Sequence, residues 1–304
     1  MPTIYDVAKQ AGVSISTVSR VLNNNPNVLH DTRQRVLKVI ADLNFKPNPI
    51  ARGLVVKQTN ILEVFFSWTG YQLNFGNSWY MGILNGVNEV ARQNKFGLLI
   101  NTVAGDYDPQ AVYEKAFYNI VDGVLIVSPY LKEEEVRRMV DERLPFVLIS
   151  YRIDDPRIDF VDSDNVGAAV MVVDHLAGLG RKRLAIVNGI LESSRNAIDR
   201  WTGFQEGLRK HGLPLLDEYV TEGRFNVETG EACAGRLLSL PTPPDAIFAV
   251  NDYMAMGVVN VLKKRGLTPG KEVAVVGFDD IAEAAMPYYE MTTVRQDFVS
   301  ISSE

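Results

Sequence analysis

The chain has 304 residues, of which 46% are hydrophobic, and a formal net charge of −6. This length and composition predict at least two domains with a sizeable core, and the acidic balance by itself argues against nucleic-acid binding. The charge is unevenly spread, however: residues 1–60 hold eight Lys and Arg against three Asp and Glu, a local charge of +5, so the other residues sum to −11. A basic arm on an acidic body is typical of a DNA reader with a separate regulatory part.

Several classes of protein are excluded by what the chain lacks. The single cysteine, Cys233, cannot form a disulfide framework, and no cluster of metal ligands is visible. The N-terminus has no charged-then-apolar signal pattern, and no apolar run reaches membrane-spanning length. We therefore expect a cytoplasmic protein with no membrane contact, no metal and no cofactor.

The first predicted elements are two short helices. Thr3 and Asp6 have the spacing of a capping box at the start of the first helix. Gly12 stands where the chain must turn, and Ser14 is placed to cap a second helix over 15–22. The spacing of its apolar residues predicts the buried face of this second helix, formed by Val18, Val21 and Leu22. Two short helices joined by a tight turn predict a helix-turn-helix, whose second helix lies in the major groove of DNA.

A third helix is expected over 32–44, capped by Asp31. The side chains expected to close the small core are Val36, Leu37, Ile40 and Leu43. The next segment begins with Asn48-Pro49, a good helix start, but Gly53 costs a helix interior about 1 kcal/mol relative to Ala. We expect it to be helical only when something holds it. The predicted domains are a headpiece over 1–46, a hinge helix and linker over 47–59, and a body over 60–304.

In the body, strands and amphipathic helices alternate. Short apolar runs between such helices indicate parallel strands buried on both faces. The predicted strands are 61–66, 97–101, 123–127, 146–149, 184–187, a short one near Tyr219, 246–250 and 273–276. The predicted helices are 77–93, 109–120, 133–142, 166–179, 199–211, 227–240 and 253–265. The fold class is therefore α/β, with two doubly wound parallel-sheet lobes and a crossover near 150–165.

Lobes of this kind bind ligands in the cleft outside the carboxyl ends of their strands. The residues that follow predicted strands, or start a helix after one, include Trp79, Tyr80, Arg200, Phe225, Asn251 and Asp279. Aromatic faces stack on sugar rings, and Arg, Asn and Asp can hydrogen-bond vicinal hydroxyls, so the pattern indicates a carbohydrate site. Trp79-Tyr80 would stack on a purine equally well.

Other residues near these strand ends have a second interpretation. Asn251 fits equally well as the N-cap of the helix that follows it. For Asp280 a structural role is favoured over ligand binding, and Trp201 and Phe204 are expected in the core. The further aromatics Trp68, Tyr71 and Phe75 either line the pocket or cover it.

The motifs T-I-Y-D-V-A, A-G-V-S, T-V-S-R-V-L-N and N-P-I-A-R-G-L resemble, in order and spacing, the headpiece of the lactose-repressor/galactose-repressor (LacI/GalR) family of bacterial transcription regulators. The resemblance continues through V-D-G-V-L-I-V-S-P, R-W-T-G-F, A-I-F-A-V-N-D-Y-M-A-M-G and V-A-V-V-G-F-D-D in the body. It implies that the two lobes are of periplasmic-binding-protein type.

The resemblance also implies a role for each matching residue. The residues that would read bases are Ile15, Ser16 and Arg20. Those that would lie near phosphates are Ser14, Thr17, Ser19 and Asn23. The hinge residues that would enter the minor groove are Ala51 and Leu54, the leucine as a wedge between base pairs. Arg200 and Asp279 would hold the effector, in a pocket lined by Trp79, Tyr80, Phe225 and Asn251.

The sequence therefore predicts a transcription regulator that binds palindromic operator DNA as a homodimer under the control of a small carbohydrate, with a repressor favoured over an activator. A purine or another metabolite is the alternative effector, and inducer or corepressor action is left open. A sugar-binding transport protein would need an export signal, and an enzyme would have to use the adjacent Asp279 and Asp280 as paired carboxylates. Family chains usually continue past a segment like 292–298, so we expect the closing segment to be missing here.

Overall fold

A computed structural model describes residues 2–46, 58–68, 78–104, 120–127, 133–191 and 194–303. The chain divides into two compact units, Met1–Thr59 and Asn60–Glu304. The predicted hinge residues Ala51 and Leu54 lie outside the described residues, as do Tyr71, Phe75 and most of the predicted helix 109–120.

The described part of the first unit contains three helices, α1 (Ile4–Ala11), α2 (Ile15–Leu22) and α3 (His30–Asp42). Apolar residues three or four positions apart on each helix meet in one small core. Its buried members are Val7, Ala8, Ala11, Val18, Val21, Val36 and Val39. The first two helices are confirmed as predicted, with the Thr3–Asp6 capping box in place.

Two expectations about α3 are wrong. The chain is still extended at Leu29, which occupies the N-cap position without a side-chain hydrogen bond, so Asp31 lies inside the first turn and does not cap the helix. Leu37 is 43% exposed. It is turned about 100° around the helix from the buried Val36, and Val39 takes the core position instead.

The first lobe of the second unit is a parallel sheet with helices on it. Within the described residues its strand order is β2-β1-β3-β4-β5. Its elements are β1 (Ile61–Trp68), α4 (Ser78–Gln93), β2 (Gly97–Ala104), β3 (Gly123–Val127), α5 (Glu133–Asp141), β4 (Phe146–Ile149) and β5 (Phe160–Val161). The short edge strand β5 was not predicted, because two residues carry no periodicity.

The second lobe repeats this design with the strand order β10-β9-β8-β6-β7 among the described residues. Its helices are α6 (Asn165–Gly178), α7 (Arg195–Lys210), α8 (Val227–Leu237) and α9 (Asp252–Lys264). Its strands are β6 (Leu184–Asn188), β7 (Val220–Glu222), β8 (Ala246–Ala249), β9 (Ala274–Asp279) and β10 (Thr292–Arg295). After β10 the chain enters α10 (Phe298–Ser303), which packs against α4 of the first lobe. The predicted α/β architecture is confirmed.

Burial explains why the strand patterns were readable. Every residue of β6, β8 and β9 is buried, as continuous apolar runs between two helical layers require. Helices α6 and α7 approach closely at Gly203, where a Cβ atom would lie 2.1 Å from the carbonyl oxygen of Val166. Phe204 is buried and Trp201 packs against the same core, as expected.

Candidate functional site

The outward face of α2 carries the residues predicted to read bases. Val18 and Val21 turn inward, which leaves Ile15, Ser16 and Arg20 exposed on the opposite face. Among the residues predicted near phosphates, Ser14 and Asn23 are exposed, and Thr17 and Ser19 are half-buried. The helix therefore presents one apolar contact, several hydroxyls and one cation to the outside.

Ser14 fixes the start of this helix. Its Oγ accepts the backbone N–H of Thr17 at 3.2 Å, which satisfies one of the open donors of the first turn. The same hydroxyl lies 2.8 Å from Ser16 Oγ and 2.9 Å from Thr17 Oγ1. At the preceding turn, Gly12 adopts φ +62°, a left-handed conformation that suits glycine.

Sequence reasoning missed one conspicuous side chain of the headpiece. Tyr5 on α1 is 69% exposed, although Ile4, Val7 and Ala8 beside it face the core. An exposed aromatic with a hydroxyl is a candidate contact for a phosphate or a base edge. The helical spacing of the T-I-Y-D-V-A motif was enough to place it outside the core.

In the body, Arg200 and Asp279 meet inside the second lobe, with Arg200 Nη1 3.9 Å from Asp279 Oδ1. Arg200 is 3% exposed, and its guanidinium lies 3.6 Å over the centre of the Phe278 ring. Its Nε donates to Asn165 Oδ1 at 2.9 Å, and Nη1 donates to the carbonyl oxygen of Val250. The guanidinium is thus held in one orientation at the carboxyl end of the sheet.

Asp279 has an unusual backbone. It adopts φ +125° and the next residue, Asp280, φ +59°, both in the region that side chains disfavour. Such strain costs of order 1–3 kcal/mol per residue and clusters at functional sites. Its effect here is to separate two neighbouring carboxylates: Asp279 is buried, while Asp280 turns outward to accept from Arg295 Nε at 2.6 Å. The expected structural role of Asp280 agrees with this pairing.

The carboxyl groups near Arg200 outnumber its single positive charge. Burial raises the pKa of Asp279 to about 8, although Arg200 acts to lower it. Burial likewise raises the pKa of Asp252 to about 6 and raises the pKa of Asp162. Burial lowers the pKa of Arg200, and the nearby carboxylates oppose that shift. A site with this balance suits a ligand that brings hydroxyl groups and no negative charge.

The predicted aromatic residues lie at the start of α4 in the first lobe. The Trp79 and Tyr80 rings meet edge to face at 4.7 Å, and Tyr80 meets Phe66 in the same way at 5.4 Å. Trp79 also packs against the Met256–Ile281 cluster of the second lobe, and Ser78 N–H donates to Tyr253 Oη at 3.2 Å. The start of α4 is therefore a point where the two lobes touch.

Phe225 and Asn251 are brought together at the end of the second sheet. Asn251 Nδ2 donates to the carbonyl oxygen of Phe225 at 3.1 Å, and its Oδ1 accepts Met254 N–H at 3.0 Å. Asn251 therefore caps α9, which was one of the two interpretations of this residue. A contact between Asn251 and the effector remains a prediction.

Two buried amides beside Arg200 and Asp279 were missed. Asn165 accepts from Arg200, and Gln296 Nε2 donates to Asp279 Oδ1 at 2.6 Å. Gln296 directly follows β10, so the rule that pointed to the other strand ends would have found it had that strand been predicted. Asn165 begins a helix and carries no comparable signal.

The part of the chain that the structure describes contains no group of His, Cys, Asp and Glu side chains arranged to hold a metal. Among the same residues, no helix is both long and apolar enough to cross a membrane.

Two protein families match this chain. Residues 3–48 match "Bacterial regulatory proteins, lacI family", and residues 72–301 match "Periplasmic binding proteins and sugar binding domain of LacI family". Catabolite control protein A of Priestia megaterium is 32% identical over 99% of this chain and 89% of its own length. The transcriptional repressor PurR of Haemophilus influenzae is 30% identical over 97% of this chain and 86% of its own.

Solved structures extend the comparison to the whole fold. The lac repressor dimer bound to operator and the anti-inducer ONPF matches with a TM-score of 0.83 and 26% identity, over 99% of this chain and 89% of that one. The complex of the transcriptional regulator CelR with cellobiose matches with a TM-score of 0.74 and 27% identity, over 100% and 90% of the respective chains.

Proposed function

Because the chain belongs to the LacI family of bacterial regulatory proteins, we propose that it is an operator-binding repressor whose affinity for DNA is set by a neutral carbohydrate held between its two lobes. The family is one of transcriptional regulators, so the chain is a DNA-binding regulator with an effector-binding domain and not an enzyme.

One observation carries the choice of effector: the buried Arg200–Asp279 pair at the carboxyl end of the second sheet. Arg200 donors and Asp279 acceptors together match vicinal hydroxyls, which both donate and accept. Nearby acidic groups already balance the guanidinium, which disfavours a carboxylated or phosphorylated ligand. The family match to a sugar-binding domain and the sugar complex of CelR support the same class.

A purine is the second candidate. Trp79 lies where the lobes touch, and its ring would stack on a planar base as readily as on a sugar face. Arg200, Asp279 and Asn251 can hydrogen-bond ring nitrogens and exocyclic groups. A carbohydrate carries several hydroxyl groups and is not planar, whereas a purine is planar. A panel of ligands of both kinds therefore separates the two candidates.

DNA binding is assigned to the exposed face of α2. Arg20 would read guanine through O6 and N7, with Ile15 and Ser16 at neighbouring bases. Ser14, Thr17, Ser19 and Asn23 would position the helix on phosphates. Two copies in a homodimer would place two such helices on a palindrome, and the Ala51–Leu54 segment of each would enter the minor groove between them. The orientation of the two lobes relative to each other would determine whether the Ala51–Leu54 segments of the two chains can meet.

The effector assignment is tested by thermal unfolding in the presence of neutral mono- and disaccharides, uronic acids and purine bases. A bound ligand at one hundred times its Kd adds about 2.7 kcal/mol of stability. Arg200→Met should abolish the shift that the wild type shows. Arg209→Met is the matched control, since Arg209 is exposed on the same helix. A shift with purines alone would replace the carbohydrate proposal, and an unchanged shift in Arg200→Met would remove Arg200 from the site.

The DNA assignment is tested by selecting sites from a random duplex pool with the full chain. A palindromic consensus is expected, with a stoichiometry of two chains per duplex by analytical ultracentrifugation. A consensus without two-fold symmetry, or one chain per duplex, would contradict the dimer proposal.

A further inference from the structure

Within the described residues the chain crosses between its two lobes twice, and both crossings pass beside the Arg200–Asp279 pair. The first crossing leads from β5 through Ser163 into α6, and the second leads from β10 through Gln296 into α10. Ser163 Oγ donates to Gln296 Oε1 at 2.9 Å. Side chains therefore join the two crossings directly to each other.

Gln296 uses both ends of its amide. It is 5% exposed, and while Oε1 accepts from Ser163, Nε2 donates to Asp279 Oδ1 at 2.6 Å. On the other side of the pair, Asn165 accepts from Arg200 Nε and donates through Nδ2 to the Ser163 carbonyl oxygen at 3.1 Å. These five residues close a circuit, here called the polar ring. Its widest gap is the 3.9 Å between Arg200 and Asp279.

We propose that Gln296 is a positioning residue for the effector: it holds the Asp279 carboxyl group in the orientation that Arg200 and the ligand require. Because Gln296 also accepts a hydrogen bond from Ser163, that orientation depends on how the two crossings are placed relative to each other. The effector part rests on the proposed function, but the positioning itself is testable without a ligand. Ser163 and Gln296 lie in different crossings, so a change in the position of one crossing relative to the other would act on the Asp279 carboxyl group through the polar ring.

The chemistry at position 296 calls for an amide. The charged form of Asp279 only accepts hydrogen bonds and the Ser163 hydroxyl donates one, so a residue that stabilises this form must donate at one end and accept at the other. A charged glutamate at position 296 would repel the charged form of Asp279. An apolar residue would leave a buried Asp279 oxygen without its 2.6 Å donor, which is costly.

The first experiment measures Tm against pH, from pH 6 to 9.5, for the full chain without ligand, comparing wild type with Gln296→Met. The Gln296 donor favours the charged form of Asp279 and so lowers the pKa of that carboxyl. Without it the pKa rises, so the Tm of Gln296→Met should fall increasingly below that of the wild type as pH rises. The gap should widen by about 3 to 5 °C for each unit by which the pKa rises. A residue that only filled space would give parallel curves, and parallel curves would overturn the proposal.

Two control experiments show which group causes the pH-dependent difference in Tm. In an Asp279→Asn background, Gln296→Met should give a pH-independent offset, because the titrating group is gone. Arg295→Met alters the neighbouring exposed side chain at the end of β10 and breaks its pair with Asp280, and should not widen the gap. Widening in Arg295→Met, or persistence of widening in the Asp279→Asn background, would assign the pH dependence to another group.

The link to the first crossing is tested with Ser163→Ala. In the wild-type background, removal of this hydroxyl should produce part of the pH-dependent loss of Tm that Gln296→Met shows. In the Gln296→Met background it should cause no further pH-dependent loss. Additive effects would show that Ser163 does not act through Gln296. These results do not depend on the ligand panel: failure of every carbohydrate and purine to bind would count against the proposed effector, whereas parallel pH curves would count against Gln296 alone.

Discussion

Replacing Asp279 by Asn should remove a large part of the pH dependence of stability of this protein. Asp279 has a pKa of about 8 in the folded chain, against about 3.9 for an exposed aspartate. The folded state therefore holds this proton more tightly than the unfolded state between those two values. Its contribution to the free energy of unfolding is fully present below about pH 4 and is lost as pH rises towards 8.

The size of the effect follows from the same shift. Each pKa unit corresponds to about 1.4 kcal/mol, so between pH 5 and 7 this one group can remove up to about 3 kcal/mol of stability. For a chain of this size that corresponds to roughly 6 to 12 °C in Tm. Asn is close in shape, can still accept from Gln296 and cannot ionise. The variant should thus match the wild type at about pH 4 and below and exceed it increasingly as pH rises towards 8.

Differential scanning fluorimetry in a series of buffers of constant ionic strength measures this directly. Burial raises the pKa of Asp252 to about 6, so this group lowers stability in the same sense at lower pH. Asp155 acts in the opposite sense, because Arg157 lowers its pKa and its stabilisation is lost only in acid. Asp280→Asn is the matched control on an outward-facing neighbour. Parallel curves for wild type and Asp279→Asn, or a steeper fall in the variant, would refute the burial argument.

Further outcomes are expected at other positions. Arg20→Ala should cost about 1 to 3 kcal/mol of operator affinity and relax preference at one symmetric pair of bases; fluorescence-anisotropy titrations that show an equal loss on all sequences would instead make it a phosphate contact. Ser14→Ala should destabilise the headpiece by about 0.5 to 2 kcal/mol through the lost helix cap, measured by thermal circular dichroism. Gly203→Ala should destabilise the body by about 1 to 3 kcal/mol, since its methyl group would meet the Val166 carbonyl oxygen. Gly235→Ala, with open space around the new methyl group, should be neutral or stabilising by up to about 1 kcal/mol; equal effects of the two glycine variants in urea unfolding would contradict the close packing of α6 on α7.

Local rules were sufficient for much of the fold. The capping box at Thr3, the Ser14 cap and the apolar spacing of Val18 and Val21 act within a few residues, so the start of α1 and both limits of α2 were predicted as observed. The apolar runs of the buried strands follow from parallel sheets covered on both faces, and they identified the two α/β lobes. The same rules misplaced the start of α3, because the path of the chain through Leu29 decides where that helix begins.

The sequence by itself placed Arg200 on the helix that follows β6 and Asp279 at the end of β9, since the strand positions along the chain and the ligand rule for such sheets need only periodicity. Only the tertiary structure decided what those side chains face. The positive φ angles that turn Asp279 inward and Asp280 outward depend on the surrounding packing, and two adjacent Asp residues do not by themselves predict them. Asn165 and Gln296 reach the pair from crossings 131 residues apart in the chain, and their hydrogen bonds exist only because folding brings both crossings to the same edge of the sheet.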